Sequence, residues 1–112
     1  MPQPTPLPRS KPIAPEHLGP EERSLFDEVA AAYGIRDEVS LKILSEALAS
    51  LQRARLARER IDAEGMTFLD DKGRPKGHPL LVVERDARAA ALAAFRQLNL
   101  ELPRISTKRE VW

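Results

Sequence analysis

The sequence contains no cysteine, which removes disulfide frameworks, thiolate metal sites and thiol nucleophiles together. Aromatic residues are nearly as scarce: Phe26, Tyr33, Phe68, Phe95 and Trp112 are the whole set. No apolar run approaches the roughly 20 residues that a bilayer-spanning helix needs, and Met1-Pro2-Gln3-Pro4 has none of the apolar stretch of a secretory signal. The expectation is a soluble protein with no membrane partner. No glycine-rich phosphate loop is present. The two histidines, His17 and His78, stand apart from each other and close to prolines. His78, directly before Pro79, reads as a turn or cap residue rather than a base. Asp70 and Asp71, followed by Lys72 and Gly73, read as a turn rather than a metal pair. Together these absences argue against an enzyme and call for no cofactor or metal.

What is present is helical in character. At 112 residues there is room for one domain with a small core, and its apolar content rests on alanine and leucine, both strong helix formers. The formal net charge is only +1, but it is unevenly spread. Glu21, Glu22, Asp27, Glu28, Asp37 and Glu38 face only Arg23 and Arg36, whereas the stretch after Leu102 carries Arg104, Lys108 and Arg109 against Glu110. Any nucleic-acid contact is then confined to one surface or to the tails; attraction between subunits is the competing explanation of the same asymmetry.

Most prolines fall within residues 1–18, which predicts an extended or disordered arm carrying Arg9 and Lys11. A first helix is expected from Pro20, with Gly19 as N-cap and Gly34 as stop. A long second helix is expected from near Asp37 to about Glu64, with the apolar stripe Leu41, Leu44, Ala47, Leu48, Leu51, Ala54 and Ile61. Met66–Leu69 is expected as a short strand followed by a turn, and a third helix from Pro79 to near Leu98, with Asn99 as its left-handed terminus. Leu80, Val83, Ala87, Ala91, Ala94, Phe95 and Leu98 form the third helix's stripe. The fold class is all-α: a short first helix and a long antiparallel hairpin, with a short extended and turn segment between helices two and three. Residues 1–18 form the arm, 19–99 the helical oligomerisation core and 100–112 a basic tail.

Three charges fall inside apolar stripes. At about 100° per residue, Arg55 and Arg58 sit on the buried face of the second helix and Glu84 on that of the third. Antiparallel packing brings them together near the loop, so Glu84 is expected to pair with Arg58 or with Arg55. Ala89, Ala90 and Ala93, with Leu56 and Leu92, lie off the main stripes and are candidate subunit contacts.

The order and spacing of segments resemble the phage terminase small-subunit family, in the group without an obvious N-terminal helix-turn-helix. The resemblance runs from Pro12-Ile13-Ala14-Pro15-Glu16-His17-Leu18-Gly19-Pro20-Glu21-Glu22 through Leu25-Phe26 to Ala32-Tyr33-Gly34. It continues with Ile61-Asp62-Ala63-Glu64-Gly65 and is most specific at Gly77-His78-Pro79-Leu80, Glu84-Arg85-Asp86-Ala87-Arg88 and Phe95-Arg96-Gln97-Leu98-Asn99-Leu100. Asn99 stands where the family has glycine, Phe26 where tryptophan is common, and Pro103 comes slightly late. The resemblance implies a non-catalytic, ring-like homo-oligomer of the host cytoplasm. It would bind double-stranded viral DNA and present it to the large terminase subunit, which holds the ATPase and nuclease. The family transfers no base-reading motif, so DNA-contact candidates rest on charge: Arg104, Lys108 and Arg109 first, then Lys72, Arg74 and Lys76, with Trp112 able to stack on a base or dock on the large subunit. Two rival readings remain. One is a small helix-turn-helix-like regulator around Ala30 and Gly34, which the phosphate-repelling Asp37 and Glu38 oppose; the other is a helical assembly adaptor without DNA binding.

Overall fold

The structure is a computed structural model describing residues 11–100. Three helices, α1 (Pro20–Tyr33), α2 (Glu38–Glu64) and α3 (Leu80–Leu98), carry most of the chain, with two short strands, β1 (Thr67–Leu69) and β2 (Pro75–Gly77), between α2 and α3. Local chemistry explains each boundary. Pro20 occupies the first turn of α1, where a missing N–H costs nothing, and Glu21 and Glu22 face the positive end of its dipole. Gly34 takes φ +64° to end it, and the Ile35 N–H folds back to the Ala30 carbonyl at 3.0 Å, burying Ile35. Asp37 then caps α2 by accepting the Ser40 N–H at 2.9 Å. Asn99 closes α3 in the left-handed conformation, at φ 52°, which asparagine tolerates better than most residues.

The core sits where the three helices meet. Phe26 and Ala30 of α1 pack with Leu44 and Leu48 of α2, and Phe95 and Leu98 of α3 lie against this cluster. Farther along the hairpin, the buried apolar positions are alanines, Ala54 and Ala57 on α2 and Ala87 and Ala91 on α3, with Ile61 the one large exception. Small side chains let the two backbones approach closely, which suits a pair of helices in contact over much of their length. Their antiparallel sense follows from three contacts: Glu64 with His78 at one end, Arg58 with Glu84 inside it, and the Leu44–Phe95 region at the other. α1 packs on α2 as well, with its start held near Gln52 and Arg55.

Three expectations need correction. The chain is mostly helical rather than all-α, because β1 and β2 pair as an antiparallel ribbon in the register Thr67↔Gly77, Phe68↔Lys76, Leu69↔Pro75. Pro75 hides the second strand in the sequence, since proline in a ladder normally signals a break. Here Asp70 and Arg74 form the hydrogen-bonded pair, with Asp70 N–H donating to the Arg74 carbonyl at 2.8 Å. Leu69↔Pro75 is then a non-bonded pair, and the missing N–H falls on the outer edge at no cost to the ladder. The arm of residues 1–18 is not free at its end: Ala14 and Leu18 are buried in the core, and Gln52 binds both sides of the adjacent turn, accepting the Gly19 N–H at 2.6 Å and donating to the His17 carbonyl at 3.2 Å. Val83, placed in the buried stripe of α3, is exposed, while Ala57, left out of the α2 stripe, is buried. Among the described residues no helix is long and apolar enough to cross a membrane.

Candidate functional site

Two arginines of α2 organise the ion pairs. Arg58 meets Glu84 in a fork, Nη2 donating to Oε1 at 2.8 Å and Nε to Oε2 at 3.2 Å. Arg88, one turn further along α3, donates to the same Oε2 at 2.7 Å, and Asp62 accepts from Arg58 at 3.3 Å. Glu84 is only 8% exposed, and a carboxylate there stays charged because its oxygens are saturated with donors. The Arg58 hydrogen bonds first, and Arg88 second, hold its carboxyl below the usual range. Replacing Arg58 by lysine keeps the charge and loses the fork. The urea midpoint is expected to fall with the denaturant slope unchanged; an unmoved midpoint would assign Glu84's stabilisation to Arg88 alone.

Arg55 does not join this pair. It turns to the opposite flank of α2 and forks onto Glu22 of α1, Nε to Oε2 at 2.9 Å and Nη2 to Oε1 at 3.0 Å. Glu59 accepts from Nη1 at 3.0 Å, and Glu21 lies 3.1 Å from Nε. Glu22 is 2% exposed, and the Arg55 hydrogen bonds keep its carboxyl below the normal range against the opposing effect of burial. From the sequence, Glu22 stands out only as one acid of the stretch 20–38. The signal was available: Glu22, Phe26 and Ala30 recur every four residues, so a charge there sits on the buried face as clearly as Glu84 does on its own.

The ribbon projects from the closed end of the hairpin. Its root is fixed by His78, which is buried. Its Nδ1 accepts the Leu80 N–H at 3.0 Å, capping α3, so the ring proton lies on Nε2, which donates to Glu64 Oε1 at 2.7 Å. That bond, followed by the one from Arg60, lowers the Glu64 carboxyl below its ordinary value. The His78 backbone N–H also donates to the Met66 carbonyl at 2.8 Å. At the tip, Asp70 Oδ1 accepts the backbone N–H groups of Lys72 and Arg74, both at 2.8 Å, and Gly73 takes φ +76°. Here the three-residue hairpin loop demands a left-handed position. The strands between root and tip are exposed on both faces.

This arrangement brings Lys72, Arg74 and Lys76 together on one ribbon. Arg74 is paired with Asp70 at 3.4 Å, while the ammonium groups of Lys72 and Lys76 have no partner among the described residues. Asp70 is spent on its own loop, leaving Asp71 as the acid the tip presents to its surroundings. Met66, Phe68 and Leu69 are exposed beside these cations. Leu56, Ala89, Ala90, Leu92 and Ala93, the candidate subunit contacts, are all exposed on the hairpin. Arg104, Lys108, Arg109 and Trp112 lie outside the described residues. Among the described residues no cluster of three potential ligands for a metal ion occurs.

No protein-family model, curated protein or solved structure matches the chain.

Proposed function

We propose that this protein is a non-catalytic DNA-binding subunit that works as an assembly of identical copies. More particularly, it is the small subunit of a phage DNA-packaging terminase, forming a ring-like homo-oligomer in the host cytoplasm that recognises viral double-stranded DNA and delivers it to the large subunit, with its ATPase and nuclease. The observation that supports this reading best is the ribbon. A rigidly rooted, fully exposed two-stranded element with unpaired lysines at its tip and on its second strand has the width that a DNA major groove accepts, and its cations can neutralise phosphates. The exposed alanines and leucines of the hairpin supply flanks for neighbouring copies, and the family resemblance of the segment order adds the packaging context.

DNA affinity measured against salt concentration tests the reading. Each phosphate contact contributes about 0.9 to the slope of log affinity on log salt, so the double variant Lys72→Ala, Lys76→Ala is expected to lower that slope by about 2. Deleting residues after Leu102 is expected to lower it further through Arg104, Lys108 and Arg109. A full chain that captures a large terminase subunit but shifts no phage DNA would leave the adaptor reading in its place, and one that shifts DNA but captures no large subunit would leave the regulator.

A further inference from the structure

Two surfaces of the chain carry opposite charge in matching patterns, each with one charge that has no partner among the described residues. Along α3, Arg85, Arg88, Leu92 and Arg96 follow one another at spacings of three, four and four residues, so they form a single ridge. All are exposed, and Leu92, at 54%, stands out between two arginines. Arg85 is engaged by its neighbour Asp86 and Arg88 by Glu84, but the Arg96 guanidinium has no partner among the described residues. Beside it lies an open cleft of about 390 Å³ lined by Tyr33, Leu92, Phe95, Arg96, Asn99 and Leu100.

On α1 the exposed face has the reverse character. Glu21, Ser24 and Glu28 share one side of the helix, with Ala31 and Ala32 continuing it, and no basic residue interrupts them. Glu21 leans on Arg55, while the Glu28 carboxylate, like Arg96, is exposed and unpartnered among the described residues. The dimensions agree. Glu21 and Glu28 stand about 10.5 Å apart along their axis and Arg88 and Arg96 about 12 Å, at about 1.5 Å per residue. Midway between the arginines is the Leu92 knob; midway between the glutamates is Ser24, small enough to receive it.

We infer that copies of this chain join through these two surfaces, the acidic face of α1 in one copy lying against the arginine ridge of α3 in another. Glu28 pairs with Arg96, and Leu92 seats over Ser24 between the flanking charges. The occupant of the ridge is a second copy because the complementary face, with the opposite sign and a matching charge separation, is present on the same molecule. Such a contact joins two different patches, the type that closes rings when the rotation permits. It rests on the oligomeric reading above and adds to it which helices meet.

Charge reversal tests the contact with the full chain, because both positions are exposed and neither contributes to the core. Light scattering coupled to size exclusion is the measurement, with thermal melts to confirm that each variant is folded. Glu28→Arg places two cations at the contact and Arg96→Glu places two anions there. Each variant alone is expected to lose self-association by at least about tenfold at low salt, where surface charges are least screened. Mixed in equal amounts, the two restore assembly, since every contact in an alternating arrangement then pairs unlike charges. Assembly of each variant at wild-type strength, or a mixture that stays dissociated, overturns the contact while leaving the oligomeric reading intact. A wild-type chain that remains monomeric at every concentration overturns both.

Discussion

Replacing Phe26 by alanine is expected to lower the unfolding free energy by about 3–5 kcal/mol, the range for deleting a buried aromatic ring. Phe26 is 2% exposed and the largest fully buried side chain in the region where α1, α2 and α3 converge. A domain of this size has a total stability on the order of 5–15 kcal/mol, so the loss takes much of it. The cavity would open between α1 and Leu44 and Leu48, where the short α1 has few other large groups to fill it. Phe26→Leu, which preserves most of the volume, is expected to cost about 1 kcal/mol. Urea denaturation followed by circular dichroism measures both. A loss below about 1 kcal/mol for the alanine variant would mean that the ring is not packed as described, since even partial collapse of such a cavity leaves a larger deficit.

The second large effect is acid sensitivity. Glu22 and Glu84 are held below the ordinary glutamate value of 4.5 by the forks of Arg55 and Arg58 respectively. Glu64 is lowered by His78 and then Arg60, Asp70 chiefly by the Arg74 backbone N–H, and Asp37 by the Ser40 backbone N–H. In each case the folded carboxyl gives up its proton more readily than the unfolded one. Between the two values the unfolded chain binds more protons, so falling pH favours unfolding. The stabilisation is therefore complete above the unfolded carboxylate values and is lost as pH drops through the lower folded ones. Stability is expected to fall steeply on the acid side, and the double variant Glu22→Gln, Glu84→Gln should show a shallower fall over the same range. Parallel acid limbs in the wild type and the double variant would mean that the two forks contribute nothing to the linkage.

How much of this was legible in the sequence depends on whether the signal is local. The helix boundaries are: Pro20, Gly34, Asp37, Gly65 and Asn99 each act on the backbone beside them, and the structure places α1, α2 and α3 within a residue or so of the expected limits. Off-pattern charges are nearly as readable. Arg58 and Glu84 meet because both sit on buried faces at similar distances from the loop. Arg55 was harder to place, since the choice between α3 and α1 turns on which flank of α2 the first helix occupies, a tertiary decision that periodicity does not encode. The same holds for Ala14 and Leu18: proline-rich composition describes a chain with nothing to pack against, and the cluster of Phe26, Leu44 and Leu48 supplies the missing partner, with Gln52 fixing the adjacent turn. β2 was obscured for a different reason. Pro75-Lys76-Gly77 has neither alternation nor β-branched residues, and its pairing is imposed by the Asp70 loop and the His78 anchor rather than by its own preferences. For the candidate DNA interface the tip residues were legible as charges, but their assembly on one ribbon was not.

The bonds that root and close the ribbon also have a kinetic meaning. His78 reaches Glu64 across 14 positions and Arg74 reaches Asp70 across four, whereas the links that seat α1, Gly19 with Gln52 and Glu22 with Arg55, span 33. Short loops close with little entropy to overcome and long ones with more. On refolding of the full chain, the turn between the two long helices can therefore take shape before α1 docks on α2.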